Sequence, residues 1–194
     1  MRRVFLHLLL LRIAHRTEAV LAALLLCAGL LLAPGAAAQG VELKSLRVER
    51  RDGELSLEFS HRLSLGAAIE DALHRGVPMY FSAQATVYRN RWYWRDERVA
   101  RVSRTWRLAY QPLTANWRVS LGGLSQSYGS LAEALAPLSR VSGWRLLDGE
   151  KLEPGERYYI EFSFKLDNSQ LPQPMQIDLG GDWKLGVERS LRVE

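Results

Sequence analysis

The residues best suited to do chemistry in this chain are arginines. Arg89, Arg91, Arg95, Arg101 and Arg107 all fall on odd positions of one stretch, while Tyr88, Trp92, Trp94, Val102, Trp106, Leu108 and Tyr110 fall on even ones. Successive side chains of an extended strand point to opposite faces, so one parity makes one face. The stretch reads as two long strands turning near Asp96-Glu97-Arg98, with Trp94 opposite Ala100, Trp92 opposite Val102 and Tyr88 opposite Trp106. Guanidinium forks match carboxylate and phosphate geometry. The arginine face is therefore a candidate contact for an acidic protein partner, an anionic lipid or an anionic polysaccharide. The plainer alternative is a solvated sheet face whose arginines pair with Asp96, Glu97 or acids on a neighbouring strand. The aromatic face could line an apolar pocket, yet aromatics at period two are what a buried sheet face requires, and core is the expectation.

Other chemistries find little support. There is no G-x-S-x-G, hence no nucleophile elbow. Beyond residue 38 the histidines are His61 and His74, and zinc wants three or four protein ligands. His74 ends a helical pattern beside Arg75, where a cation suits the helix dipole. The carboxylate pairs Asp52/Glu54 and Asp148/Glu150 sit in turn-like segments, where acids are ordinary. We expect no catalytic residues, no metal and no cofactor, and therefore no enzyme. Leu171-Pro172-Gln173-Pro174 reads as a proline-guarded entry to an edge strand, or as a short segment offered to a partner.

The first residues have a separate character. Arg2, Arg3, Arg12 and Arg16 precede AVLAALLLCAGLLLA (Ala19 to Ala33), which Pro34-Gly35 breaks before Ala36-Ala37-Ala38. A basic start, an apolar centre and small residues before a cut define a secretory signal. Residues 1–38 are expected to be a signal peptide and 39–194 a single β-rich periplasmic domain. The alternative is an uncleaved leader anchoring the chain in the inner membrane, although a spanning helix wants about 20 apolar residues. Leu26 is too bulky for a lipoprotein signal at Cys27, and a cut after Ala38 leaves no cysteine. Without the leader the chain carries 22 basic and 20 acidic residues, a balance that gives no reason to expect nucleic-acid binding.

The elements that must position the arginines are mostly strands. Val41 to Val48 and Leu55 to Phe59 flank Asp52-Gly53, a hairpin signal. Ser64 caps a short helix through Leu73 that Gly76 closes, and Val77-Pro78 restarts an extended run. Trp117 to Leu121, then Ser125 to Tyr128, follow as strands; Ser130 caps a second helix through Leu138, and Trp144 to Leu147 adds a brief strand. Tyr158, Ile160, Phe162, Phe164 and Leu166 alternate cleanly, and Met175 to Leu179 precedes a Gly180-Gly181 turn into Trp183, Leu185 and Val187. This pattern predicts an all-β, mainly antiparallel fold: a β-sandwich or partly open barrel with two short helical insertions.

The segments V-E-L-K-S-L-R-V from Val41, G-V-P-M-Y-F from Gly76, R-W-Y-W from Arg91 and D-N-S-Q-L-P-Q-P-M-Q from Asp167 resemble the proteobacterial exported proteins called domain of unknown function 4390. The resemblance covers nearly the whole chain after the leader. It implies a periplasmic or membrane-associated protein, and members of that family are often encoded beside a two-component sensor kinase, which would favour an accessory role in envelope sensing. It carries over no catalytic residue. The reading is a non-catalytic periplasmic binding or adaptor protein, accessory to a membrane sensor kinase. The rival is a carrier of a lipid or other apolar ligand. An envelope or membrane protein is the expected partner, with peripheral membrane association and oligomeric state left open.

Overall fold

From residue 40 onward the alternation of apolar and polar side chains outweighs any helical period, and strands follow wherever it holds. The computed structural model describes residues 40–51, 54–91, 93, 95–147, 152–153, 155–171 and 183–193. The leader, Asp52-Gly53, Trp92, Trp94, residues 148–151 and the expected strand at Met175 to Leu179 lie outside them.

In chain order the elements are β1 (Gly40–Arg51), β2 (Glu54–Ser64), α1 (Ala67–His74), β3 (Met79–Arg89), β4 (Glu97–Gln111), β5 (Asn116–Leu121), β6 (Leu124–Tyr128), α2 (Leu131–Ser139), β7 (Arg140–Leu147), β8 (Tyr158–Leu166), a 3-10 turn (Asn168–Gln170) and β9 (Gly186–Val193). They form two antiparallel sheets, of order β1-β2-β7 and β6-β5-β4-β3-β8-β9. Neither sheet closes on itself, so the fold is a β-sandwich with two short helices.

The sheets meet through aromatic side chains. Phe59 of β2 lies 4.8 Å from Phe162 and 6.5 Å from Phe164 of β8, centroid to centroid, and 6.2 Å from Trp144 of β7. Along β8 every expected core position is buried. Burial at this density, roughly 1.5–3 kcal/mol per large apolar side chain, is what holds the layers together. Trp106 is buried on the inner face of β4, opposite Phe81, and belongs to the core.

Three local expectations need correction. First, β3 ends at Arg89 and β4 begins at Glu97, and Phe81 pairs with Trp106, Met79 with Leu108 and Tyr88 with Arg98. The turn near Asp96-Glu97-Arg98 and the pairing of Tyr88 with Trp106 are therefore wrong. The observed register aligns Met79, Phe81, Ala85 and Val87 with Leu108, Trp106, Val102 and Ala100, which buries far more apolar surface on one face. Second, α1 starts after Gly66 and not Ser64, with no side-chain cap. Third, Trp144 to Leu147 is part of a longer β7. Gly143, at φ 57°, sits in a bulge that lets both Val141 and Trp144 face the core, against Phe59 and Leu57.

Candidate functional site

The hairpin of β3 and β4 separates the five candidate arginines. Arg89, at the end of β3, forms ion pairs with Glu97 across the hairpin and with Glu153. Arg91 pairs with the same Glu97. Hydrogen bonding to Glu97 and then Glu153 raises the Arg89 pKa, and Arg89 in turn holds Glu97 below the usual carboxylate range. These two arginines are committed to internal partners, the arrangement the plainer alternative describes. Asp96 adds to this closure. It accepts from the Arg91 backbone N–H at 3.1 Å and from the Tyr159 hydroxyl at 2.9 Å. Burial first, then that hydrogen bond, pushes the Tyr159 pKa up to about 12, and the Tyr159 ring stacks on Tyr88 at 5.2 Å. Arg95 is exposed in the connecting loop.

Arg101 and Arg107 go elsewhere, to the outer face of the six-stranded sheet. Opposed residues of an antiparallel pair project to the same face, so the registers assign the neighbours. Arg107 stands opposite Tyr80 and Ser120, and Arg101 opposite Thr86. Arg98 joins this face despite its even number. A bulge between Val87 and Tyr88 takes Val99 out of step and reverses the parity of β4 below it. Arg118 (β5), Lys165 (β8) and Arg192 (β9) complete the set, against the carboxylates Glu161 and Glu188. Six cations against three acids, counting Asp96 on the Tyr159 hydroxyl, make this a cationic face. Among the described residues none of the six is held in an ion pair. Arg101 donates to Gln84 Oε1 at 2.6 Å. The face holds a groove of about 490 Å³, lined by Gln84, Thr86, Tyr88, Arg98, Arg101 and Glu161 among others.

Arg98, Arg118, Lys165 and Arg192 were missed from sequence because their strands are far apart along the chain. Arg118, Lys165 and Arg192 alternate with apolar neighbours, so their outward position was readable, whereas that of Arg98 depends on the bulge; none of their places beside Arg101 was readable.

The histidines fall in different aromatic clusters. His61 lies between Phe59 and Phe164 in the core, and His74, in the last turn of α1, meets the rings of Tyr110 and Trp117. Among the described residues no three His, Cys, Asp or Glu gather where they could hold a metal ion, and no helix is long and apolar enough to cross a membrane. Residues 38–191 match the family described as Domain of unknown function (DUF4390). No curated protein and no solved structure matches the chain.

Proposed function

This chain belongs to the domain of unknown function 4390 family, and from that premise we propose that it is a non-catalytic adaptor of the bacterial cell envelope, docking an acidic surface of a membrane-associated protein on the outer face of its six-stranded sheet. The observation that carries this reading is the set of six cations on that face, none of which is held in an ion pair among the described residues. Cross-strand acids can balance the arginines of a solvated sheet, and among the described residues of this face six cations meet three acids. A complementary acidic surface would supply the balance, with gains in encounter rate and orientation more than in raw affinity. The signal-like leader supports a location beyond the inner membrane, and a sensor kinase is the class of partner that the family resemblance implies.

The test is cross-linked capture of membrane proteins by the full chain expressed with its leader, wild type against the Arg98→Glu/Arg101→Glu/Arg107→Glu variant. Reversing three charges on an exposed face should leave thermal unfolding nearly unchanged and reduce capture about tenfold or more. Equal capture by both proteins would sink the proposal, as would binding to anionic vesicles with no protein captured. An intact mass beginning at Gln39 is the expected product of export.

A further inference from the structure

One arginine of β4 faces the opposite way. Arg104 lies across from Ala83, which is fully buried, and two residues from Trp106. Its guanidinium carbon sits 5.3 Å from the centroid of the Trp144 ring. Partial burial lowers its pKa, but a guanidinium stays charged in a protein. The indole recovers part of the lost hydration. Among the described residues no carboxylate pairs with it and no carbonyl accepts from it. A partly dehydrated cation with no acceptor among the described residues is costly to maintain and marks a place where an anion would be welcome.

The surroundings say which kind of anion. β5 ends at Leu121, opposite Trp106, so beyond that point β4 loses its neighbour and the space between the sheets opens toward α2 and β7. A cleft of about 460 Å³ lies there, with Trp106, Val119, Leu121, Pro137 and Val141 on its walls and Arg104 in its lining. That volume lies within the range of small-molecule sites, about 300–1,000 Å³. Arg140 is the other charged residue of the lining, no carboxylate contributes to it, and Leu124, 80 % exposed, stands at the rim. Apolar walls interrupted by Ser125, Gln126, Tyr128 and Ser142, with two arginines and no acid, suit an amphiphile with one small anionic end. Free inorganic anions would leave the walls unused.

We propose that this cleft binds a single-chain fatty carboxylate, its carboxylate forked on the Arg104 guanidinium and its alkyl chain laid along Trp106, Leu121 and Val141. The site is on the opposite side of the sheet from the cationic docking face and does not depend on it. Trp106 and Trp144 line or adjoin the cleft, so tryptophan fluorescence reports occupancy.

The full chain is titrated with dodecanoate below its micelle concentration, and in parallel with dodecanol. Saturable quenching by dodecanoate, at least about tenfold weaker for dodecanol, is expected, since a charge-assisted hydrogen bond is what separates the two. Arg104→Gln should weaken dodecanoate about tenfold and leave dodecanol unchanged, and Leu124→Glu, at the exposed rim, should weaken dodecanoate without touching the fold. No saturable binding of dodecanoate, or equal affinity for the alcohol, overturns the proposal. So does a folded Arg104→Gln protein that binds dodecanoate as the wild type does, or a preference for a hydrophobic peptide over dodecanoate. The comparison of acid with alcohol uses the unaltered protein and stands even where a variant does not fold.

Discussion

His61 is 5 % exposed between Phe59, at 5.8 Å, and Phe164, at 4.1 Å, and among the described residues neither ring nitrogen has a hydrogen-bond partner. Burial pushes its pKa down to about 4, against about 6.5 in an unfolded chain. The folded state therefore holds the neutral ring and resists the proton. The stability tied to this residue is intact above about pH 6.5 and drains away as the pH falls toward about 4. Denaturant unfolding of the wild type should show about 2 kcal/mol lost to this residue between pH 7 and about pH 4.5. A His61→Leu protein should lose correspondingly less over the same interval, and equal losses would clear His61 of the effect. Its orientation was readable, because 61 continues the odd parity of Leu55, Leu57 and Phe59. Arg104 was readable in the same way, sharing parity with Val102 and Trp106. In both cases the residue type drew attention to surface chemistry while the parity put it inside.

At the scale of elements, α2 shows what local sequence can specify. Ser130 accepts from the Glu133 backbone N–H at 3.3 Å, and the Glu133 carboxylate accepts from the Gly129 N–H at 3.2 Å, a reciprocal closure of the helix start. The helix spans the gap between β6 and β7 and buries Ala134 and Leu138. Ser130→Ala should cost about 1 kcal/mol, read as a lowered urea midpoint at unchanged slope. A midpoint that does not move would mean that the two buried side chains hold the helix unaided. Strands β2 and β8 were as legible as this helix. The β3–β4 register was not, because Tyr88, Trp92 and Trp94 offered an aromatic face to a turn at Asp96, and only the competing run from Met79 to Val87 decides against it. α1 begins at Ala67 because Gly66 takes the extended conformation there, which no hydroxyl at Ser64 could have announced.

Over the whole molecule the two layers are unequal, three strands against six, and the larger sheet keeps its outer face for solvent or a partner. Charge on that face acts at a distance and is screened by salt, with a Debye length near 10 Å at about 0.1 M and about 3 Å at 1 M. Association with an acidic partner should slow markedly between about 0.05 and 0.5 M sodium chloride, while the dissociation rate changes little. Surface-immobilised binding kinetics would check this, and a salt-independent association rate would assign the contact to some other surface. The sandwich class was legible from the spacing of short strands, whereas the gathering of Arg98, Arg101, Arg107, Arg118, Lys165 and Arg192 depends on which strands become neighbours.

That neighbour order also governs how the chain must be made. β3 lies between β4, which follows it at once, and β8, which arrives far later, with Phe81 paired to Trp106 on one side and to Leu166 on the other. As the chain emerges from its N-terminus, the β3–β6 meander can assemble from adjacent segments, but one edge of β3 stays bare and the ring of Phe59 lacks its partners on β8 until Tyr158–Leu166 appears. A bare, apolar edge is a template for adding foreign strands. A product cut short before β8 would display that edge permanently, so incomplete synthesis exposes the very surface by which aggregation begins and quality-control proteases recognise their substrates.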